Sequence, residues 1–499
     1  MELEVSPDNK ARTGVSGLDT ILNGGLAAGH VFLLEGKPGT GKTTIALRFL
    51  LEGAEVGERG LYITLSENER ELRAGAASHG WTLGDAITVF ELAPPETLLD
   101  SDQEQSLLYS SDLELGETTR RIFDMFEQVN PTRVVLDSLS EIRLLAQSSL
   151  RYRRQILAIK HSFASHGATV LLLDDLTSEA TDQTVHSIVH GVICLEEVVR
   201  DYGAEKRRLR VAKYRGQAFH GGYHDFRIVR GGVTVFPRLV AAEHHTRYAR
   251  KQMTCDNAEV DAMLGGGIEQ GSSTLLLGPA GTGKSTFVFQ FVAAAIRRGE
   301  KAAMFIFDEE LGLLFERTRT LGIDLEKMRD AGSLHIEQVD TAERSPGEFA
   351  SKVRTHVENA QVKTVVIDSL NGYTAAMPSE GSLLLHIHEL LQFLNRQGAT
   401  TFLTVAQHGL IADLKPPVDV TYLADTVILL RYFEAEGRIR RAVSVIKKRT
   451  GAHEPTIREF QIGNRGLSLG PPLRFHGVLH GVPTFVGHPD AMDKSAASE

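Results

Sequence analysis

The amino-acid sequence predicts an α/β protein of two tandem domains, each a mostly parallel sheet flanked by helices. Short apolar runs that end in polar residues alternate with stretches of helical spacing along the 499 residues, as they do where helices cross over between parallel strands. A glycine-rich loop motif occurs twice, and the residues around it repeat in the same register. These observations indicate that a whole domain has been duplicated.

Two segments carry the motif G-x-x-x-x-G-K-[ST], namely GKPGTGKT at 36–43 and GPAGTGKS at 278–285. Each follows a strand-like run and leads into a helix-like stretch, which is the setting of a nucleotide-binding phosphate loop. Backbone N–H groups of such a loop point at the phosphates, and its lysine reaches the β- and γ-phosphates. We therefore expect both loops to bind ATP. The expected contact residues are Gly36, Gly39, Thr40, Gly41, Lys42, Thr43 and Thr44 in the first loop, and Gly278, Gly281, Thr282, Gly283, Lys284, Ser285 and Thr286 in the second.

The repeat extends well beyond the loops. The spacing from Lys42 to Lys284 also relates Glu67 to Glu309, and later landmarks repeat with a slightly shorter spacing. Insertions in surface loops account for such a drift, because loops accept changes in length at small cost. We predict a first domain at 1–242, a linker at 243–252, a second domain at 253–470 and a C-terminal tail at 471–499.

The strand and helix pattern follows the same order in both halves. Residues 192–198 and 207–214 are predicted to close the first sheet as an antiparallel pair, and the polar, acidic residues 95–118 to form a loop-rich excursion. Helices are predicted near 18–22, 43–51 and 152–165. The remaining strands are predicted at 31–34, 60–65, 133–137 and 168–173, then at 275–277, 303–307, 364–368, 400–405, 426–432 and 441–448.

Composition and charge narrow the class of function. Apolar residues make up 42% of the chain and charged residues 24%, as in soluble globular proteins. No apolar run is long enough for a membrane span and the N-terminus lacks a signal-peptide pattern, so we expect a cytoplasmic protein with no membrane partner. The two cysteines, Cys194 and Cys255, fit neither a disulfide framework nor a zinc site. A net charge of −10 argues against general nucleic-acid affinity.

Acidic residues end equivalent strands in the two halves. Asp137 and Asp368 each close an apolar run and are followed by Ser-Leu. In a protein with an intact phosphate loop, such an aspartate binds the hydration shell of Mg²⁺, and the hydroxyl group of the loop ligates the ion directly. We therefore expect Thr43 with Asp137, and Ser285 with Asp368, to form two Mg²⁺ sites.

A second acidic position follows the strand after each loop, at Glu67 and at Asp308 with Glu309. A carboxylate there can face the γ-phosphate and orient or deprotonate the attacking nucleophile. The spacing of these acids fits a second interpretation equally well, in which they are solvated residues at the start of a helix. Acidic side chains are favourable there because they interact with the helix dipole.

Basic residues end the last predicted strand of each half. They are Lys213, Arg215, Lys447 and Arg449. Basic tips of this kind can neutralise charge on a phosphoryl group in transfer. The other interpretation is ordinary solubilising charge at a sheet edge.

With these motifs the chain resembles the KaiC family of RecA-type ATPases from about residue 13 to 463. The segments 424–430 (ADTVILL) and 456–460 (TIREF) are also similar to family stretches. The resemblance implies two tandem RecA-like P-loop NTPase domains in a homo-hexamer, with ATP between subunits. It also implies that the Lys-x-Arg tips reach into the neighbouring subunit's site. In the family the first domain chiefly hydrolyses ATP, and the second also phosphorylates its own chain.

Two positions depart from the circadian members of that family. Their adjacent glutamates become Ser66-Glu67 and Asp308-Glu309 here, so the resemblance assigns Glu67 and Glu309 as principal bases, with Asp308 as helper. Their Ser-Thr phosphoacceptor pair becomes Thr421-Tyr422, which leaves Thr421 as the acceptor candidate.

The sequence thus predicts an ATP-hydrolysing, Mg²⁺-dependent KaiC-like protein with Ser/Thr autophosphorylation in its second domain. We expect it to act as a signalling or timing module with regulatory protein partners. The alternative is a RecA/RadA-type DNA recombination or repair ATPase, which would share the fold. The chain lacks the basic, aromatic-rich arm that a nucleic-acid channel favours. A nucleotide-dependent scaffold with slow turnover also stays open, because Ser66 replaces a carboxylate.

Overall fold

The computed structural model describes residues 10–92, 107–176, 184–199, 203–374, 380–407, 420–463, 466–476 and 484–487. The chain divides into two compact units, Met1–Arg238 and Leu239–Glu499. The predicted linker 243–252 falls within the second unit, where Tyr248 donates a hydrogen bond to the Asn395 carbonyl (2.8 Å).

The first unit contains a sheet of mostly parallel strands. Within the described residues nine strands lie in the order β11-β10-β9-β8-β3-β7-β6-β4-β5, and all from β8 to β5 are parallel. The strands are β1 (Lys10–Ala11), β2 (Leu26–Ala27), β3 (Val31–Gly36), β4 (Gly60–Thr64), β5 (Ile87–Glu91), β6 (Arg133–Asp137), β7 (Thr169–Asp175), β8 (Gly191–Val198), β9 (Lys206–Tyr214), β10 (His224–Val229) and β11 (Gly232–Phe236). The helices are α1 (Ser16–Ile21), α2 (Lys42–Glu55), α3 (Glu69–Ser78), α4 (Leu107–Val129), α5 (Leu139–Ala146), α6 (Ser149–Ser165) and α7 (Thr184–Ile188).

The second unit repeats this arrangement. Ten strands of its described residues lie in the order β16-β15-β17-β18-β14-β19-β20-β21-β22-β23, parallel from β16 to β19. The strands are β12 (Gln252–Met253), β13 (Ile268–Glu269), β14 (Ser273–Gly278), β15 (Ala302–Ile306), β16 (Leu334–Gln338), β17 (Thr364–Asp368), β18 (Thr400–Ala406), β19 (Thr426–Ala435), β20 (Arg438–Lys448), β21 (Ile457–Gly463), β22 (Gly466–His476) and β23 (Thr484–Gly487). The helices are α8 (Ala258–Met263), α9 (Lys284–Arg297), α10 (Leu311–Thr320), α11 (Leu325–Asp330), α12 (Pro346–Glu358), α13 (Leu370–Thr374) and α14 (Glu380–Arg396). The predicted fold class is confirmed.

The central strands are buried on both faces. Every residue of β3, β4, β6 and β14 is buried, as expected of parallel strands covered by helices on each side. Each phosphate loop then turns directly into a helix at Gly41 or Gly283, both with φ of 99°. Glycine adopts this left-handed conformation without the steric penalty of a Cβ atom. The two loops therefore lie at the carboxyl ends of β3 and β14, where ligands of such sheets bind.

The prediction of a loop-rich excursion at 95–118 is wrong from residue 107 onward, because helix α4 begins there. Residues 93–106 lie outside the described part of the chain. Leu115, Ile122 and Phe126 are spaced by one or two helical turns and are buried. The polar residues between them hid this narrow apolar face from the sequence analysis. Neither α4 nor any other helix of the described residues has the length and apolarity to cross a membrane.

The placement of the basic tips on the last strand of each half is also wrong. They follow or end β9 and β20, which are succeeded by β10 and β11 in the first unit and by β21 to β23 in the second. These later strands pair antiparallel and extend the sheet edge. Strands β10 and β21 are only partly buried, so their apolar pattern is weak and the sequence did not predict them.

Candidate nucleotide-binding sites

In the first domain the phosphate loop surrounds its own lysine. Lys42 is buried, and its ammonium group donates to the carbonyl oxygens of Gly36 (2.8 Å) and Lys37 (3.0 Å). The Thr40 hydroxyl donates to the same Lys37 oxygen (2.8 Å). A further contact joins Lys42 Nζ to Asp175 Oδ1 at 2.7 Å. These contacts hold the lysine and the backbone of the loop in a defined arrangement.

The second loop repeats the backbone contacts. Lys284 Nζ donates to Gly278 O (2.8 Å) and Pro279 O (2.9 Å), and the Thr282 hydroxyl donates to Pro279 O (2.8 Å). Burial lowers the pKa of Lys284, and the negative charge of Asp368 partly offsets this effect. A phosphate at this loop would supply the counter-charge that the buried ammonium group favours.

Asp137 lies beside the first loop, as the sequence analysis predicted. It accepts a hydrogen bond from Tyr62 Oη (2.5 Å) and another from the Thr43 hydroxyl. Burial raises the pKa of Asp137, and the nearby carboxylate of Asp175 raises it further. A divalent cation at this carboxylate would favour its ionised form, because an opposite charge lowers a carboxyl pKa.

Asp368 occupies the matching place in the second domain. It accepts hydrogen bonds from the Thr404 and Ser285 hydroxyls, and burial raises its pKa. No group of three or more acidic, histidine or cysteine ligands is found among the described residues. This donor set fits Mg²⁺, which is commonly held by one or two carboxylates together with phosphate oxygens and water. The predicted pairs of hydroxyl and aspartate are therefore brought together in both domains.

Glu67 faces a cavity at the first loop. Thr43, Thr44, Glu67 and Glu71 contribute to the lining of this cavity, whose volume is about 520 Å³. That volume is typical of small-molecule sites. Desolvation raises the pKa of the Glu67 carboxylate, and three nearby carboxylates raise it further: Asp137, Glu71 and Asp175. Glu67 is thus placed with the loop threonines, as a residue facing the γ-phosphate must be.

The corresponding acids of the second domain, Asp308 and Glu309, form hydrogen bonds with neighbouring side chains. Arg317 Nε and Nη2 donate to Glu309 Oε1 (3.0 Å) and Oε2 (2.7 Å), which is a bidentate ion pair. Asp308 accepts a hydrogen bond from the Ser369 hydroxyl. Gly75 stands where Arg317 stands when the repeat is aligned on the two loops. The two candidate bases therefore have different surroundings.

The basic tips lie at the amino ends of the parallel strands, whereas the phosphate loops lie at their carboxyl ends. Tyr214 pairs with Gly191 at the start of β8, whereas the loop begins at Gly36, opposite Leu195 further along that strand. In the second domain Lys447 likewise pairs with Val427, near the start of β19. A tip therefore lies several residues along the sheet from the loop of its own domain.

Each tip is fixed by carbonyl groups of the segment before β8 or β19. Lys213 donates to the carbonyls of His186 and Val189 (2.9 Å to Val189), and Arg215 Nη2 to that of Ser187 (2.7 Å). The same contacts recur in the second domain. Lys447 donates to Thr421 O (3.1 Å) and Ala424 O (2.8 Å). Arg449 donates to Tyr422 O (2.8 Å) and to the side-chain Oδ1 of Asp425 (3.2 Å). Thr421 is half-buried and lies at this edge, beside the tip.

Three residues of these sites, Asp175, Tyr62 and Arg317, were not among those predicted from the sequence. Asp174 and Asp175 end the apolar run of β7, and this was the signal that identified Asp137. Tyr62 and Arg317 carried no comparable signal, because their contacts depend on which strands and helices are neighbours.

Comparison with known proteins agrees with this geometry. The model of the KaiC ATPase family matches residues 11–240 and again 258–474. The circadian clock protein KaiC3 of Synechocystis sp. is 27% identical over 495 residues, covering 97% of this chain and 96% of the relative. The circadian clock oscillator proteins KaiC of Thermostichus vulcanus and Synechococcus elongatus are each 26% identical over 483 residues, covering 95% of this chain and 92% of the relative.

Proposed function

Because the chain belongs to the KaiC family of ATPases, we propose that it is a homo-hexameric, Mg²⁺-dependent ATPase that also phosphorylates its own second domain. In this proposal ATP binds at both phosphate loops, between adjacent subunits. The phosphorylated state acts as a signal to regulatory protein partners, in keeping with the clock-related names of the relatives.

The position of the basic tips carries this proposal. Lys213 and Arg215 lie at the sheet edge opposite their own loop, and so do Lys447 and Arg449. A basic group that neutralises the transferring phosphoryl group must lie next to it. Head-to-tail contacts in a closed ring supply this arrangement, because each subunit then presents its tip to the loop of the next one.

The chemistry follows from the residues at each loop. Lys42 and Lys284 would bind the β- and γ-phosphates, and the paired hydroxyl and aspartate would hold Mg²⁺. An oxygen atom of water forms a bond to the γ-phosphorus while the bond to the β,γ-bridging oxygen breaks, and ADP leaves. Glu67 would accept the proton of the attacking water in the first domain. Glu309, helped by Asp308, would accept it from water or from a Thr421 hydroxyl in the second.

Incubation of the purified chain with γ-labelled ATP and Mg²⁺ tests the ATPase assignment. We expect labelled inorganic phosphate to be released, and release to stop when EDTA removes the metal. The matched control is the double variant Lys42→Ala/Lys284→Ala, prepared in the same way, which reports contaminating ATPases. Equal release by the double variant and the unaltered chain would refute the assignment.

Thr421 is the expected site of label on the chain. It lies beside the Lys447 tip, so a ring contact that delivers this tip to the neighbouring loop also delivers the Thr421 hydroxyl. Mass spectrometry after incubation with ATP is expected to find phosphate at Thr421, to lose it in Thr421→Ala and to retain it in Thr421→Ser. Tyr422→Phe is the control for the adjacent, exposed hydroxyl. Phosphate found only at other residues, or none at all, would reduce the activity to hydrolysis.

A further inference from the structure

A carboxylate from a neighbouring strand contacts the lysine of the first phosphate loop. Asp175 ends strand β7 and lies directly beside Gly36 in the parallel register of β7 with β3. Its Oδ1 lies 2.7 Å from Lys42 Nζ, and the side chains of the pair are 27% and 7% exposed. A lysine ammonium group has three donor hydrogens. Gly36 O, Lys37 O and Asp175 take all three.

The second loop lacks this contact. The register of β18 with β14 places Ala406 beside Gly278, so alanine stands where Asp175 stands in the first domain. Lys284 donates to the same two loop carbonyls, and no carboxylate of the described residues forms an ion pair with it. One ammonium hydrogen of Lys284 is therefore available to a phosphate oxygen, whereas the corresponding hydrogen of Lys42 is not.

We infer that Asp175 is a built-in competitor for nucleotide at the first loop, so that this domain binds ATP and ADP more weakly than the second. The inference rests on the proposed ATPase function. An incoming phosphate must displace the carboxylate from Lys42, and the displaced carboxylate then lies near the negative charges of the nucleotide. Both effects oppose binding, because a like charge close to a bound anion destabilises it.

The other charges around the pair reinforce this effect. Burial is the main cause of the raised pKa values of Asp137 and Glu67, and the negative charge of Asp175 adds to both, so it acts on other acidic groups of the first site. After hydrolysis the same carboxylate can reclaim Lys42 and favour the release of ADP. Product release limits the turnover of many enzymes. Asp175 would therefore give the first domain weaker binding of nucleotide but faster exchange of ADP for ATP.

Titration calorimetry with ATP and ADP tests this competition. The background is Lys284→Ala, which leaves the first loop as the remaining strong site, and all variants are compared at the same oligomeric state. We expect Asp175→Asn, which keeps the volume of the side chain and removes its charge, to tighten binding about tenfold. Asp175→Ala should tighten it similarly, and release of ADP should slow.

The second loop supplies the reciprocal experiment, in a Lys42→Ala background. We expect Ala406→Asp to weaken nucleotide binding about tenfold, and Ala406→Asn, of nearly the same size, to weaken it much less. Unchanged or weaker binding in both Asp175 variants would overturn the competition even if Ala406→Asp behaves as expected. If the unaltered chain binds nucleotide but neither Asp175 variant binds it more tightly, this inference alone fails. If the unaltered chain binds none, the proposed ATPase function fails as well.

Discussion

Replacing Lys42 or Lys284 by alanine is expected to lower ATP affinity at the altered loop by about 100-fold or more, since each lysine would supply a charge-assisted contact to phosphate in a buried site. Lys42 and Lys284 are each buried and already directed into their loops by two carbonyl contacts. Alanine leaves those carbonyls and the bound phosphates without a cation. Calorimetry on each variant should therefore find one nucleotide site where the unaltered chain is expected to have two.

Loss of nucleotide should also change the assembly. If ATP lies between subunits, each empty site removes contacts that join neighbours, so the ring should weaken. Size-exclusion chromatography with and without ATP measures this directly, and Lys301→Ala, an exposed lysine remote from both motifs in the sequence, is the matched control. An oligomer whose size is the same in both variants, with and without ATP, would argue that nucleotide binds within single subunits.

The parts of the site that were predictable from sequence are those encoded locally. A phosphate loop is a continuous motif, and its strand and helix follow from the neighbouring apolar residues. Asp137 and Asp368 were recognisable because each ends an apolar run in an equivalent place. In each of these cases a few adjacent residues determine the geometry, and the duplication supplied an independent second example.

Contacts between distant segments were not predictable in the same way. Asp175 meets Lys42 only because β7 is the neighbour of β3, and strand order does not follow from a single sequence. Arg317 lies only eight residues after Glu309, but no helix or strand spacing predicts that these two side chains meet. Helix α4 was missed for a different reason, since its buried face is narrow and lies among polar residues.

The difference between the two candidate bases also emerged only from the structure. Arg317 pairs with Glu309 and occupies both of its oxygens, whereas burial and then nearby carboxylates raise the pKa of Glu67. A carboxylate with a raised pKa is a better proton acceptor near neutral pH than one paired with a guanidinium group. We therefore expect Glu67, which lines the cavity at the first loop, to be the more effective base, and the first domain to dominate steady-state hydrolysis.

Glu67→Gln is accordingly expected to lower the rate of phosphate release by about 100-fold in a chain whose second loop carries Lys284→Ala, the lower end of the contribution usual for general-base catalysis. ATP should still bind, because the loop, Lys42 and the Mg²⁺ residues are untouched. Turnover of the unaltered first domain should rise with pH through the raised pKa of Glu67, since only the ionised carboxylate accepts a proton, and the variant should lose this dependence.

Glu69→Gln is the matched control. Glu69 begins helix α3, just after Glu67 in the sequence, and forms an ion pair with Arg73 (2.6 Å). Among the described contacts, Glu69 makes none with the loop. Glu309→Gln in a Lys42→Ala background should have a smaller effect than Glu67→Gln, since Arg317 already occupies both carboxylate oxygens of Glu309. A Glu67→Gln protein that releases phosphate at the unaltered rate would show that another group accepts the proton. If that variant instead failed to bind ATP, Glu67 would be acting on binding, and the pH dependence could no longer be assigned to proton transfer.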